Sequence, residues 1–235
     1  MANVVLITGG SRSGKSSYAL QLGEGLPGPR AFIATCPPID EEMAERIRKH
    51  RESRDPEVWE TIEEPINLAG ALQAGTGYKT VLVDCLTLWL SNMMYSGSDL
   101  QNEEDVSDRC RRLLEACHQR DGTVILVSNE VGMGIVPDNP VGRRFRDLMG
   151  RCNQIIASEA DKVILMACGL PIYLKRENDE PDLPDHRADN STRPELASQG
   201  EGAARSTHHA ALGIGAADGP GNGPSRDDSL DDPAG

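Results

Sequence analysis

Val4-Val5-Leu6-Ile7-Thr8-Gly9-Gly10-Ser11-Arg12-Ser13-Gly14-Lys15-Ser16 decides the fold of this chain. Val4 to Ile7 is an apolar, β-branched run that stops abruptly at Gly9-Gly10, the pattern of a buried strand. Lys15 to Leu22 then reads as helix. Between them, Gly9 to Ser16 fits G-x-x-x-x-G-K-[ST], placed where phosphate binding needs it, after a strand and before a helix. The glycines let successive backbone N–H groups turn toward phosphate oxygens, and the helix offers its positive end to the same charge. In such a loop Lys15 reaches the β- and γ-phosphates and Ser16 ligates Mg²⁺. The stretch therefore predicts a site for a nucleoside triphosphate.

Outward from the loop, short apolar runs alternate with helical patterns. Ala31 to Ala34 is a second strand, stopped by Pro37-Pro38. Glu41 to Arg54 reads as a helix with Asp40 as its N-cap and acids in its first turn, where they suit the dipole. Val58 to Ile62 is an edge strand, Val81 to Val83 a central strand, Glu103 to Gln119 a helix and Thr123 to Val127 a strand. Asn139 to Ala160 is mostly helix, and Val163 to Met166 and Ile172 to Leu174 are the last strands. This order predicts an α/β, P-loop NTPase-type fold: a mainly parallel sheet with helices on both faces and right-handed crossovers.

The acid that partners a phosphate loop belongs at the end of a neighbouring strand. Asp84, after Val81-Leu82-Val83, meets that requirement at the carboxyl edge of the sheet, where it can hold Mg²⁺ or instead cap the next helix. Glu130, in Ser128-Asn129-Glu130, follows another strand and either faces the site or serves the structure. No guanine-reading NKxD segment and no transporter-type signature follows the loop. A small nucleotide-dependent transferase fits best. A nucleotide switch or binding protein is the alternative from another class.

Composition narrows the setting. The chain has 235 residues and a net charge of −13. That balance gives no positive field to draw in nucleic acid. The first apolar run is far shorter than the roughly 20 residues of a membrane span, and no basic segment precedes it, so neither a span nor a signal peptide is expected. Six cysteines without a CxxC pair point to reduced thiols and a cytoplasmic setting. Residues 176–235 hold thirteen acids and five bases, eight Gly and six Pro, with no Phe, Trp or Tyr. Such a segment buries too little apolar surface to offset its ordering entropy, so a disordered acidic tail is expected after a 1–175 domain.

The body taken together is more specific. The loop Gly9 to Ser16, Ile33-Ala34-Thr35, the Asp40–Met43 and Arg46–Arg51 stretches and Val83-Asp84-Cys85 occur in that order. They are followed by Asn129-Glu130-Val131-Gly132-Met133-Gly134-Ile135-Val136-Pro137, Phe145-Arg146-Asp147, Gly150-Arg151 and Asn153-Gln154. This resembles the bifunctional adenosylcobinamide kinase/adenosylcobinamide-phosphate guanylyltransferase family of cobalamin biosynthesis, over nearly all the body and none of the tail. The resemblance implies two reactions. ATP or GTP phosphorylates the aminopropanol hydroxyl of adenosylcobinamide, and GMP from GTP is then transferred to that phosphate through a covalent GMP-histidine, releasing pyrophosphate. An enzyme keeping only one of these activities is the nearer alternative. The resemblance also implies trimers with active sites near subunit interfaces.

Carried over by position, nucleotide binding falls to Gly9, Gly10, Ser11, Arg12, Ser13, Gly14, Lys15 and Ser16, to Ala34, Thr35 and Cys36, and to Arg51, Glu52, Ser53, Arg54, Glu63 and Asp84. Lys15 and His50 are the catalytic residues, His50 taking GMP, and Ser16 and Asp84 the metal ligands. Some family members carry Glu where this chain has Asp84, which shortens the arm by about one C–C bond.

Two clusters can be weighed from their pattern. Met43, Ile47 and His50 fall within about 60° of one another on a helical projection. His50 thus extends an inward stripe, as a core histidine bonded to a carbonyl or as a nucleophile forming a phosphoramidate. Arg46, Arg48, Lys49 and Arg51 around it suit triphosphate charge. Arg143, Arg144, Arg146 and Arg151 form either a solvated face paired with Asp147 and Glu159 or a contact for substrate phosphate or a neighbouring subunit. His118, at a helix end, reads as a cap or surface residue, and His186, His208 and His209 lie in the tail. Cys36 and Cys85, at strand ends near the loop, need no redox role.

Overall fold

A computed structural model describes residues 1–37, 41–52, 54–97, 100 and 102–176, with the side chains of residues 42–44, 46, 49 and 50 set aside. Asp40, Ser53 and the tail beyond Arg176 lie outside the described residues, so the helix cap and the disordered tail expected there are not described.

Among the described residues the elements are β1 (Asn3–Gly9), α1 (Lys15–Glu24), β2 (Arg30–Ala34), α2 (Glu41–Glu52), β3 (Trp59–Glu63), α3 (Leu68–Ala74) and β4 (Thr80–Asp84). They continue with α4 (Leu86–Tyr95), α5 (Glu103–His118), β5 (Thr123–Val127), a 3₁₀ turn (Val131–Met133), α6 (Pro140–Glu159), β6 (Lys162–Ala167) and β7 (Leu170–Lys175). The seven strands form one sheet in the order β3-β2-β4-β5-β1-β6-β7. Every pairing is parallel except β6 with β7.

The inner strands β1, β2, β4, β5 and β6 are largely apolar because both their faces are buried, whereas the edge strands β3 and β7 are mostly exposed. Val4, Leu6, Val81, Val83, Val124 and Leu126 point into a core with α3, α5 and α6. Val5, Ile7, Leu82, Ile125 and Val127 point the other way, into a core with Ala19 of α1, Phe32 and Trp59. Local chemistry sets the helix starts. Asn102 and Asp105 form a reciprocal capping box on α5. Asn139 accepts from Gly142 N–H at 2.7 Å at the start of α6, with Pro140 next.

The expected elements are present, with β3 at an edge, and three features differ. The helix read as Glu41 to Arg54 ends at Glu52. Arg54 leaves it to lay its guanidinium over the Phe32 ring, 3.7 Å from the centroid, and is buried there. Two helices went unread: α3 is a single short segment, and α4 is apolar nearly all round and so lacks an amphipathic signature. Finally, β7 returns antiparallel through a two-residue turn in which Cys168 and Gly169 both have positive φ, the hairpin geometry that matches strand twist.

The end of β1 admits only glycine. Gly9 has φ +146°, and a Cβ there would sit 2.4 Å from the Met166 carbonyl oxygen on β6. Gly9→Ala is expected to lower stability by about 1–3 kcal/mol and to weaken nucleotide binding, checked by denaturant unfolding and nucleotide titration.

Candidate nucleotide site

The loop between β1 and α1 is held from both sides. Gly9 O accepts from Glu130 N–H at 3.1 Å, beyond β5, and Ser13 O accepts from Gly169 N–H at 3.1 Å, in the β6–β7 turn. Within it Arg12 has φ +56° and Gly14 φ +94°, so two residues in the left-handed region curl the chain over the start of α1. Gly14 is the N-cap and, among the described residues, no side chain caps the helix, which leaves its first N–H groups to face the loop.

Lys15 is 7% exposed, and its ammonium donates to Gly10 O at 2.6 Å and Ser13 Oγ at 3.5 Å. Burial pushes its pKa down, opposed by Cys85 and Asp84. Burial also pushes the Cys85 thiol up to about 12, so at neutral pH it is uncharged, neither a nucleophile nor a counter-ion. The counter-charge at Lys15 therefore comes from the Asp84 carboxylate. Asp84 ends β4 in register with Ala34 and Val127, on the edge of the sheet that carries the loop. Ser16, half-buried in the first turn of α1, lies on a helix packed against β4.

The other expected nucleotide residues divide into three groups. Thr35 is fully buried: its hydroxyl donates to Cys85 O at 2.8 Å and accepts from Cys85 N–H at 2.7 Å. Its backbone N–H meets Asp84 O and its carbonyl meets the Asn92 side chain, so Thr35 ties β2 to β4 beneath the site. Ala34 and Cys36 flank it, half-buried, at the same strand end. Arg51 and Glu63 are brought together as an exposed ion pair, and Glu52 pairs with Arg48 along α2. Arg54, stacked on Phe32, has its pKa pushed down by burial, opposed by Asp84 and reinforced by Arg51. Its buried Nε has no hydrogen-bond partner among the described residues. The backbone of His50 lies in the last turn of α2, while its side chain is among those set aside.

The basic run on α6 bonds to backbone carbonyls and not to the acids that the pairing reading named. Arg143 donates to the Pro137 and Asp138 carbonyls, Arg144 to Leu100 O and Arg146 to Gly132 O at 2.7 Å. None of these bonds goes to Asp147 or Glu159, because the nearby loops present unpaired carbonyls that guanidinium forks satisfy. Arg143 and Arg146 strap the Val131–Asp138 segment onto α6. Beside this strap, Gly132, Arg146, Asp147, Arg151 and Gln154 line a cleft of about 400 Å³. His118 is the half-buried last residue of α5, as its position implied. No helix among the described residues is long and apolar enough to cross a membrane.

Sequence reasoning left Glu130 between two roles and passed over its partners. Thr8, buried on β1, donates to Glu130 Oε1 at 2.7 Å, and Asn153 of α6 donates to the same oxygen at 3.1 Å. The available signal was a Ser-Asn-Glu run directly after a buried strand.

A model of the family described as cobinamide kinase / cobinamide phosphate guanyltransferase matches residues 5–174 of this chain. The bifunctional adenosylcobalamin biosynthesis protein CobP of Pseudomonas aeruginosa is 40% identical over 173 residues, 73% of this chain and 97% of that protein. The bifunctional adenosylcobalamin biosynthesis protein CobU of Escherichia coli is 38% identical over 185 residues, again 73% of this chain and 99% of its own length. Its namesake in Salmonella typhimurium is 36% identical over 182 residues, with the same coverage.

Proposed function

The chain belongs to the cobinamide kinase / cobinamide phosphate guanyltransferase family, and from that premise we propose that it carries out both reactions on adenosylcobinamide. A nucleoside triphosphate, ATP or GTP, phosphorylates the aminopropanol hydroxyl. GMP is then transferred from GTP to the resulting phosphate, giving adenosylcobinamide-GDP and pyrophosphate.

The observation that carries this reading is the loop itself, with its buried Lys15 ammonium beside Asp84 and the open start of α1. The N–H groups of Gly9 to Ser16 hold the phosphate oxygens, and Lys15 takes up charge that builds on them as a P–O bond breaks. The Ser16 hydroxyl and the Asp84 carboxylate are hard oxygen donors on adjoining elements. A site of two protein oxygens, completed by phosphate and water, is one that Mg²⁺ favours. Mg²⁺ bound there would neutralise phosphate charge. In the second reaction the neutral imidazole of His50 attacks the α-phosphorus of GTP, pyrophosphate leaves, and the substrate phosphate then displaces the imidazole. Arg51, Arg54 and Glu63 serve nucleotide positioning. The working assembly is a homotrimer in the cytoplasm.

Incubating the full chain with α-labelled GTP and Mg²⁺, then denaturing it, tests the reading. A transferase retains covalent label; a nucleotide switch retains none. Residues 176–235 take no part in either step. Deleting them is expected to leave both rates and the melting temperature close to those of the full chain, since the segment lacks core-forming residues. A fall of several degrees would show that the tail contributes to the folded state.

A further inference from the structure

Beneath the loop runs a polar chain that neither proposed reaction has yet used. Ser128 Oγ donates to Asn153 Oδ1 at 2.6 Å, and Asn153 Nδ2 donates to Asn129 O at 3.0 Å and Glu130 Oε1 at 3.1 Å. Thr8 Oγ1 donates to Glu130 Oε1 at 2.7 Å. The polarity of this chain is fixed by chemistry. A backbone carbonyl only accepts, so the atom of Asn153 facing Asn129 O must be its amide nitrogen, which then also faces Glu130. Ser128, Thr8 and Asn153 are buried, and Glu130 is half-buried.

The outcome is a carboxylate held by one oxygen. Oε1 takes two donors from two different elements, and the Glu130 main chain is pinned to Gly9 O, the first glycine of the loop. Oε2 takes no hydrogen bond among the described residues. Strand β5 lies between β4 and β1, and Val127 is in register with Asp84. Glu130 therefore emerges between the Asp84 strand end and the phosphate loop, at the sheet edge where ligands sit in such folds.

We propose that Glu130 is the general base of the phosphorylation step, with Thr8 and Asn153 as its positioning residues. The hydroxyl oxygen of the acceptor bonds to the γ-phosphorus as the bond from phosphorus to the β–γ bridging oxygen breaks. The hydroxyl proton passes to Glu130 Oε2, the nucleoside diphosphate departs, and the proton is later lost to water. GMP transfer has no such need: its attacking groups, a neutral imidazole and then an ionised phosphate oxygen, carry no proton at the attacking atom. This inference rests on the proposed function and sharpens its kinase half.

Glu130→Gln separates a base from a prop, because the Gln carbonyl still accepts from Thr8 and Asn153 while losing basicity. In the full chain, kcat for cobinamide phosphorylation is expected to fall about 10²-fold or more, with KM for the nucleotide changed by less than about threefold. The ratio of phosphorylation to covalent GMP labelling should fall by a similar factor. A kcat within about threefold of wild type would overturn the proposal. So would an equal loss of GMP labelling, which would mean a distorted loop, or recovery of the rate at high Mg²⁺, which would make Glu130 a metal ligand. Wild-type enzyme run alongside reports on the premise: if it phosphorylates no cobinamide, the functional reading fails, whatever the variant does.

Discussion

Lys15→Ala is expected to lower both phosphorylation and GMP transfer by about 10²- to 10³-fold each. On the proposed reading each reaction moves negative charge onto phosphate oxygens held by the same loop, and Lys15 is the cation buried in that loop. Burial matters to the size of the effect. A charge–phosphate contact shielded from water is far stronger than the same contact in bulk solvent. The fold should tolerate the change: the ammonium's partners are the carbonyl of exposed Gly10 and the Ser13 hydroxyl, both part of the loop itself. Steady-state rates for the two half-reactions, with melting temperature as a control, check this. Near-normal survival of one reaction would require two separate nucleotide sites.

His50→Asn is expected to do the opposite, separating the two activities. Direct γ-phosphoryl transfer to a hydroxyl needs no covalent enzyme intermediate, so the variant should still phosphorylate adenosylcobinamide. GMP transfer through His50 needs an imidazole nitrogen, which asparagine lacks. The variant should form no GMP-enzyme and should accumulate adenosylcobinamide phosphate, measured by chromatography of the corrinoid products. Adenosylcobinamide-GDP formation should drop to background.

The parts of this fold that could be read from the sequence are those whose signal is contiguous. Val4 to Ser16 carries strand, loop and helix start in thirteen residues, and β5 was read to its ends, Thr123 and Val127. Helix α4 escaped because, although Leu86, Trp89, Leu90 and Met93 are its buried positions, the segment Leu86–Tyr95 holds too few polar residues to mark a face. Arg54 was read as the last residue of the helix that begins at Glu41. Its actual place depends on Phe32, on a different strand. The pairing of the α6 arginines with Asp147 and Glu159 fails for a related reason: the partners they take are carbonyls, which every residue has and no composition reveals.

The site shows the same division. Lys15 and Asp84 belong to motifs that state their own position. The Thr8–Glu130 bond joins residues 122 apart in sequence, and only the order β4-β5-β1 brings them together. No spacing rule finds such a pair, whereas a Ser-Asn-Glu run at a strand end beside a phosphate loop is a reason to look for one.

On the proposed reading, one nucleotide loop serves a kinase and a guanylyltransferase whose covalent intermediate is on His50. The linkage and location of GMP on the wild-type chain test it most directly. After incubation with α-labelled GTP and Mg²⁺, the denatured protein should carry label that mild acid releases and alkali does not, because protonating a P–N bond makes imidazole a good leaving group. The labelled peptide should contain His50, and His50→Asn should carry no label. An acid-stable, alkali-labile adduct would instead mean an acyl phosphate on a carboxylate such as Asp84 or Glu130, and label persisting on His50→Asn would place the nucleophile elsewhere.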